Sequence, residues 1–387
     1  MHSFAEATTK FSLELYWQLR ESEDNIFYSP ISIMTALAML QRGAKGNTEQ
    51  QIEKVLQFNE TTKKTTEKSV ACHEEENVHE QFRKLMTQLN KSNDAYDLKA
   101  ANSIYGAKEF QFLQTFLEDI KEYYQANVES LDFAHAAEDS QKKINSWVES
   151  QTNGKIKDLF PSGSLSSSTI LVLVNAVYFK GQWKQKFDEK HTTEEKFWLN
   201  KNTSKPVQMM KQKNEFNFIF LEDVQTKIVE IPYKGNELSM YILLPVEIDG
   251  LKKLEEQLTA DKLLEWTSTQ NMHTVELYLS LPRFKVEEKY ELPGPLEHMG
   301  MADAFSPQKA DFSGMSSTPG LVVSNVLHKS FVEVNEEGTE AAAATGVEIR
   351  KYSAQITEDF CCDHPFLFFI KQCKTNSILF FGRMSSP

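Results

Sequence analysis

Residues 170–178 read Ile-Leu-Val-Leu-Val-Asn-Ala-Val-Tyr, apolar at every position but one. A short apolar run rich in Val predicts a strand buried on both faces. Five other segments repeat their apolar residues at helical spacing: 5–19, 31–41, 78–89, 113–124 and 137–152. Each predicts an amphipathic helix. Ser29-Pro30 suits a helix start, because Pro in the first turn gives up an amide hydrogen that has no partner there. Further strands are predicted at 216–221, 226–232, 238–244, 275–282 and 321–326. Helices early and strands late give an α+β architecture in which one large sheet carries the core. No Pro/Gly/Ser-rich linker or repeat divides the 387 residues, so a single domain over 1–387 is expected. The polar stretch 59–77, rich in Thr, Lys and Glu, reads as a surface insertion between helices.

The most informative pattern lies near the end. Residues 336–345 run Glu-Glu-Gly-Thr-Glu-Ala-Ala-Ala-Ala-Thr. Ala and Glu favour helix. Yet Thr339, Ala341, Ala343, Thr345, Val347 and Ile349 form an alternating small or apolar set, with small or charged residues between them. That period of two belongs to a half-buried strand. An ordinary Ala-rich surface helix and a segment able to change between loop and strand both remain open on these residues alone. Next comes Arg350-Lys351-Tyr352-Ser353-Ala354-Gln355, long exposed-type side chains without turn chemistry, as in a protease-accessible loop. Two apolar, aromatic strand-like runs, 360–370 and 377–383, close the chain.

These features, in this order, resemble the C-terminal end of a serpin. Other motifs extend the resemblance over the whole length: Asn25-Ile26-Phe27-Tyr28-Ser29-Pro30-Ile31-Ser32, Ile144-Asn145-Ser146-Trp147-Val148, Asn153-Gly154-Lys155-Ile156, the run from Leu173 to Trp183, and Leu327-His328-Lys329-Ser330. The sequence is most similar to the ovalbumin-like intracellular branch (clade B), and there to the squamous-cell-carcinoma-antigen type. The resemblance implies roughly nine helices around a large mixed β-sheet plus two smaller sheets, with an exposed reactive-centre loop at about 336–360. Its hinge would be Glu336, Glu337, Gly338, Thr339, Glu340, Ala341, Ala342, Ala343, Ala344 and Thr345. Counting from Gly338 by the family's loop spacing places the reactive bond at Tyr352-Ser353, with Lys351-Tyr352 as runner-up. Ser29, Ser32, Asn175 and His328 would lie together under the central sheet, where it parts to admit the loop. A hydrogen-bonded core cluster of structural value only is the other reading of those four. Asn175, inside an apolar run, needs partners in either case, since an unsatisfied buried amide costs roughly 1–3 kcal/mol.

The function so implied is irreversible, suicide-substrate protease inhibition. The partners would be chymotrypsin-like or trypsin-like serine proteases and papain-like cysteine proteases such as lysosomal cathepsins. A non-inhibitory serpin with a storage, chaperone or carrier role is the alternative. Two positions depart from the family pattern. Leu292-Pro293-Gly294-Pro295-Leu296 falls where a short helix is usual, and two prolines are expected to break it. Gly346 lies in the segment that would insert, where Gly weakens a strand.

Charge and chemistry narrow the picture further. A net charge of −13 argues against a nucleic-acid or anionic-membrane binder. Lys63, Lys64 and Lys68 are interrupted by Thr and Glu, and Arg83, Lys84 and Lys91 are sparse; all read as solvated faces. The start Met1-His2-Ser3-Phe4-Ala5 lacks the character of a signal peptide, and no apolar run reaches 18 residues. Cys72, Cys361, Cys362 and Cys373 make no disulfide framework. A cytoplasmic monomer is expected, with release from cells without a cleaved signal as a second setting, and the sequons at Asn59 and Asn202 would matter only on a secretory route. No Gly-x-Ser-x-Gly elbow occurs; His73 and His79 stand six apart where zinc on a helix needs four. Neither an enzyme, a cofactor nor a metal is expected.

Overall fold

The computed structural model describes residues 2–58, 78–91, 93–337 and 357–387. Among them are nine α-helices: α1 (His2–Leu19), α2 (Pro30–Gly43), α3 (Gly46–Val55), α4 (Val78–Leu89), α5 (Gln114–Tyr124), α6 (Phe133–Gln151), α7 (Leu251–Gln257), α8 (Ala260–Trp266) and α9 (Pro293–His298). The strands are β1 (Ile26–Tyr28), β2 (Tyr96–Ala107), β3 (Asn127–Leu131), β4 (Leu171–Gly181), β5 (Thr193–Asn200), β6 (Thr203–Leu221), β7 (Thr226–Pro232), β8 (Leu238–Pro245), β9 (His273–Pro282), β10 (Phe284–Glu291), β11 (Val323–Val334), β12 (Glu358–Cys361), β13 (Phe366–Gln372) and β14 (Ser377–Met384). All five helices read from periodicity are present, with ends shifted by a few residues.

The strands join into two sheets rather than the expected three. One has nine strands in the order β1-β14-β13-β8-β7-β6-β9-β12, with β5 paired to β6; the other runs β10-β11-β4-β2-β3. The reason lies in β6, 19 residues long. Its first half pairs with β5, its middle with β9 and its end with β7, so it stitches together what would otherwise be separate sheets. The strand that leads into the expected hinge segment, β11, belongs to the five-stranded sheet. The larger sheet is therefore not the one that residues 335–337, at the start of the expected hinge, adjoin.

That five-stranded sheet is covered on both faces, as the unbroken apolar run in β4 predicts. Leu171, Leu173, Val177 and Phe179 face the main core, which α2 also fills. Val172, Val174 and Ala176 face the other way, onto Ile144 and Val148 of α6. Odd and even positions thus serve two cores, and Asn175, an odd position, is turned toward α2.

Three local expectations need correction. The 292–296 stretch is not broken: α9 starts at Pro293, so both prolines sit in the first turn, where amides lack helical partners anyway. The amide of Met299 donates to Pro295 O at 3.0 Å and closes that turn. The strand predicted at 321–326 extends to Val334, because the polar residues His328 and Ser330 find buried partners while Lys329 points to the surface and pairs with Glu287. The 360–370 run is two strands, β12 and β13, separated at Cys362–Pro365 and paired to different neighbours.

Candidate functional site

β11 ends at Val334 and passes the chain to Asn335, Glu336 and Glu337 at the rim of the five-stranded sheet. All three are tied down. Trp183, just beyond β4, donates its indole N–H to Asn335 O at 2.9 Å. Its ring stacks on Tyr233 with centroids 4.6 Å apart. Asn335 Oδ1 accepts from the Glu337 amide at 2.9 Å, and Lys180 pairs with the Glu337 carboxylate at 2.7 Å. Glu336 points inward and is 4% exposed. Arg283 Nε reaches its two oxygens at 3.2 and 3.0 Å, Arg283 Nη2 also contacts Oε1, and the Thr192 hydroxyl donates at 2.7 Å. Burial alone would raise this acid's pKa. The bonds from Arg283 and Thr192 outweigh it and hold the carboxyl below the usual range.

Below the rim, β11 and β4 run parallel and directly paired, in register from Asn325 opposite Val172 to Glu333 opposite Lys180, with an irregularity at Ser324 before Val323 meets Leu171. His328 stands opposite Asn175 in that ladder. On the face toward α2 their side chains meet the helix start. Ser29 caps α2 by accepting from the Ser32 amide at 3.3 Å and donates its hydroxyl to Leu379 O at 2.7 Å. The Ser29 amide donates to His328 Nε2 at 3.0 Å. That nitrogen therefore carries the lone pair, and the ring proton sits on Nδ1, which donates to Asn175 Oδ1. Asn175 Nδ2 donates to Ser32 Oγ at 2.6 Å and to Ser32 O at 3.2 Å, and is bonded to Asn102 Oδ1. Two residues along β11, Ser330 donates to Phe27 O at 2.8 Å. His328 is wholly enclosed, and burial pushes its pKa down to about 3. The imidazole is neutral.

Ser29, Ser32, Asn175 and His328 are thus brought together, at the seam between β11 and β4. Over the whole chain the sequence fits one family: a profile for serpins (serine protease inhibitors) matches residues 6–387. The chain belongs to the serpin family. It is similar to human Serpin B4, 62% identical over 391 residues, covering 100% of both chains. Human leukocyte elastase inhibitor is 47% identical over 393 residues, again across 100% of both. Among solved structures, uncleaved ovalbumin superposes with a TM-score of 0.89 at 38% identity, covering 100% of each chain. The chain is an ovalbumin-like serpin of the squamous-cell-carcinoma-antigen type.

Of this serpin's expected site residues, Glu336 and Glu337 are placed as above. Gly338, Thr339, Glu340, Ala341, Ala342, Ala343, Ala344, Thr345 and the bonds Lys351-Tyr352 and Tyr352-Ser353 lie outside the described residues, as do 59–77 and Cys72. Sequence reasoning missed Arg283, Thr192 and Asn102, the partners of Glu336 and Asn175. For Asn102 a signal existed, a second polar residue within the buried stretch of β2; for Arg283 and Thr192 none did. Cys362 is buried and Cys361 half-buried in β12, where burial pushes the Cys361 thiol up to about 11. Neither is poised as a nucleophile. Among the described residues no His, Cys, Asp and Glu are grouped to hold a metal. No described helix is long and apolar enough to cross a membrane.

Proposed function

We propose that this serpin is an irreversible, single-use inhibitor of serine and papain-like cysteine proteases. The enzyme takes the Tyr352-Ser353 bond as substrate, or Lys351-Tyr352 as runner-up. Its nucleophile attacks the carbonyl, the new amino end leaves with a proton, and the loop remains as an acyl-enzyme. The freed hinge then enters the five-stranded sheet and carries the enzyme with it before deacylation.

The observation that supports this reading is the seam. A strand turning back just after Glu337 would run antiparallel to both β11 and β4. One parallel ladder would give way to two antiparallel ones, which are slightly more stable per residue. Thr339, Ala341, Ala343 and Thr345 are small enough to enter without overpacking. Tyr352 before the bond suits an apolar specificity pocket of the chymotrypsin type; Lys351 or Arg350 suits trypsin-like enzymes. Papain-like enzymes read one residue further back, so Tyr352 with cleavage after Ser353, or Ile349 with cleavage after Arg350, fits them. The reading includes a cytoplasmic monomer, with release from cells as a second setting.

Mixing the protein with chymotrypsin and running denaturing gels tests it. Wild type should give a complex that survives boiling in detergent, while Thr339→Arg should be cut without trapping. An inserting strand cannot bury an unpaired guanidinium without a heavy penalty. If Thr339→Arg traps as well as wild type, insertion is wrong; if wild type is merely cleaved, the protein is a non-inhibitory serpin.

A further inference from the structure

Tyr278 is the most exposed large hydrophobic side chain among the described residues, at 49%. It stands in the middle of β9, opposite Lys213 of β6 and Asp359 of β12. Lys213 Nζ lies 5.1 Å from its ring centroid and pairs with Glu276 at 2.6 Å. Glu276 in turn accepts from the Thr357 hydroxyl at 2.8 Å. The ring is therefore fixed beside the point where the chain returns from the loop. Around it Lys213–Glu276, Lys211–Glu195 and Lys227–Glu358 neutralise one another. Glu215 and Asp359 are exposed and enter no ion pair among the described residues. The result is a fixed aromatic side chain with an acidic rim.

We propose that this face is a docking surface for the target protease itself, separate from the reactive bond. It selects enzymes whose cleft is bordered by an apolar contact with basic side chains around it. The proposal rests on the inhibitor reading and adds a second point of recognition to it. Covalent geometry brings the two together. Ser353 to Thr357 spans at most about 14 Å when fully extended, and Asp359, beside Tyr278, is only about 7 Å further along the strand. A protease of about 220 residues has a radius of gyration of about 17 Å. An enzyme seated on the Tyr352-Ser353 bond has this face within its reach. Rigid aromatic anchors supply most of the affinity at such contacts, and rim charges act mainly on the association rate.

The test is the second-order rate of trapping of chymotrypsin, a cationic enzyme, at low and at physiological salt. Tyr278→Ala should trap about tenfold more slowly, and Tyr278→Phe, which keeps the ring, at close to the wild-type rate. Asp359→Lys should slow trapping several-fold at low salt, with the difference shrinking as salt rises. Stoichiometry and melting temperature should be unchanged throughout. If Tyr278→Ala lowers the melting temperature, Asp359→Lys decides alone. Wild-type rates for all three variants would overturn the docking surface while leaving the inhibitor reading intact. A wild type that traps nothing would sink the inhibitor reading and the docking surface with it, and the wild-type arm alone reveals that case.

Discussion

Acidification should weaken this protein through His328, and the size of the effect can be worked out. The imidazole is 0% exposed and already accepts from the Ser29 amide at 3.0 Å. Protonating Nε2 would set one N–H against another and leave a cation in the core. Burial accordingly pushes the pKa from 6.5 to about 3. The unfolded chain takes up the proton below about 6.5, whereas the folded chain resists until about 3. A depressed folded pKa means stability that is complete above the unfolded value and is lost as pH falls toward the folded one. At about pH 4.5, two units below the unfolded value, the loss is about 2.7 kcal/mol.

Glu288 acts in the opposite sense. Burial, then Asp24 and Glu287, push its carboxyl up to about 7, so acidification relieves it. It is partly exposed, and screening reduces its contribution to about 1 kcal/mol. The appropriate comparison is His328→Gln, neutral at every pH and equal to wild type in all other titrating groups. At about pH 7.5 the variant should already be about 2 kcal/mol less stable, since the Ser29 amide and Asn175 Oδ1 lose their fitted partner. On moving to about pH 4.5, urea unfolding should show wild type losing about 2.7 kcal/mol more than the variant. Parallel losses in the two proteins would mean that His328 is not held neutral by its surroundings.

Glu288→Gln should raise stability at about pH 8 by about 1 kcal/mol, with the gain gone by about pH 4.5; a gain that persists at acid pH would show that the carboxyl is not strained. At the rim, Glu336→Ala should cost about 2 kcal/mol, because Arg283, 45% exposed, is left to water. Arg283→Ala should cost more, about 3 kcal/mol, because the carboxylate at 4% exposure stays buried with only Thr192 to hold it. If urea unfolding ranks the two the other way, Glu336 is not enclosed as described.

How much of this was readable beforehand depended on whether one period dominated a segment. Residues 31–41 and 137–152 have one apolar stripe each, and 170–178 none that is polar except Asn175; all were legible. β6 was legible only at its end, since Lys211, Gln212, Lys213 and Asn214 put polar groups on both faces of its middle. β10 was hidden for a similar reason, its Lys and Glu alternating with few apolar residues. At the site, the need of Asn175 for partners followed from its surroundings, but Asn102 could be chosen only once β2 lay beside β4. Arg283 and Thr192 come from distant parts of the chain and converge on Glu336 through tertiary packing. No local pattern encodes that convergence.

The polar bonds sort by which strand they follow if the seam opens. Glu336 is held by Arg283 at the head of β10, the antiparallel neighbour of β11. That bond can travel with β11. His328 bonds the Ser29 amide and Asn175 bonds Ser32, but both serines belong to the start of α2, so one of those two contacts parts as well, while Asn102 stays with Asn175 on the β4 side. Four side-chain links span the seam directly: His328 to Asn175, the Ile170 amide to Ser324 Oγ, Trp183 to Asn335 O, and Lys180 to Glu337. Each leaves at least one partner with another bond or with access to water. Parting the strands therefore costs their backbone ladder and a few net hydrogen bonds of about 1 kcal/mol each, with no buried charge stranded. An entering strand would supply the ladder anew on both sides. On the proposed inhibitor reading, such a seam would hold while the loop is uncut and would open once the loop is free to replace what it breaks.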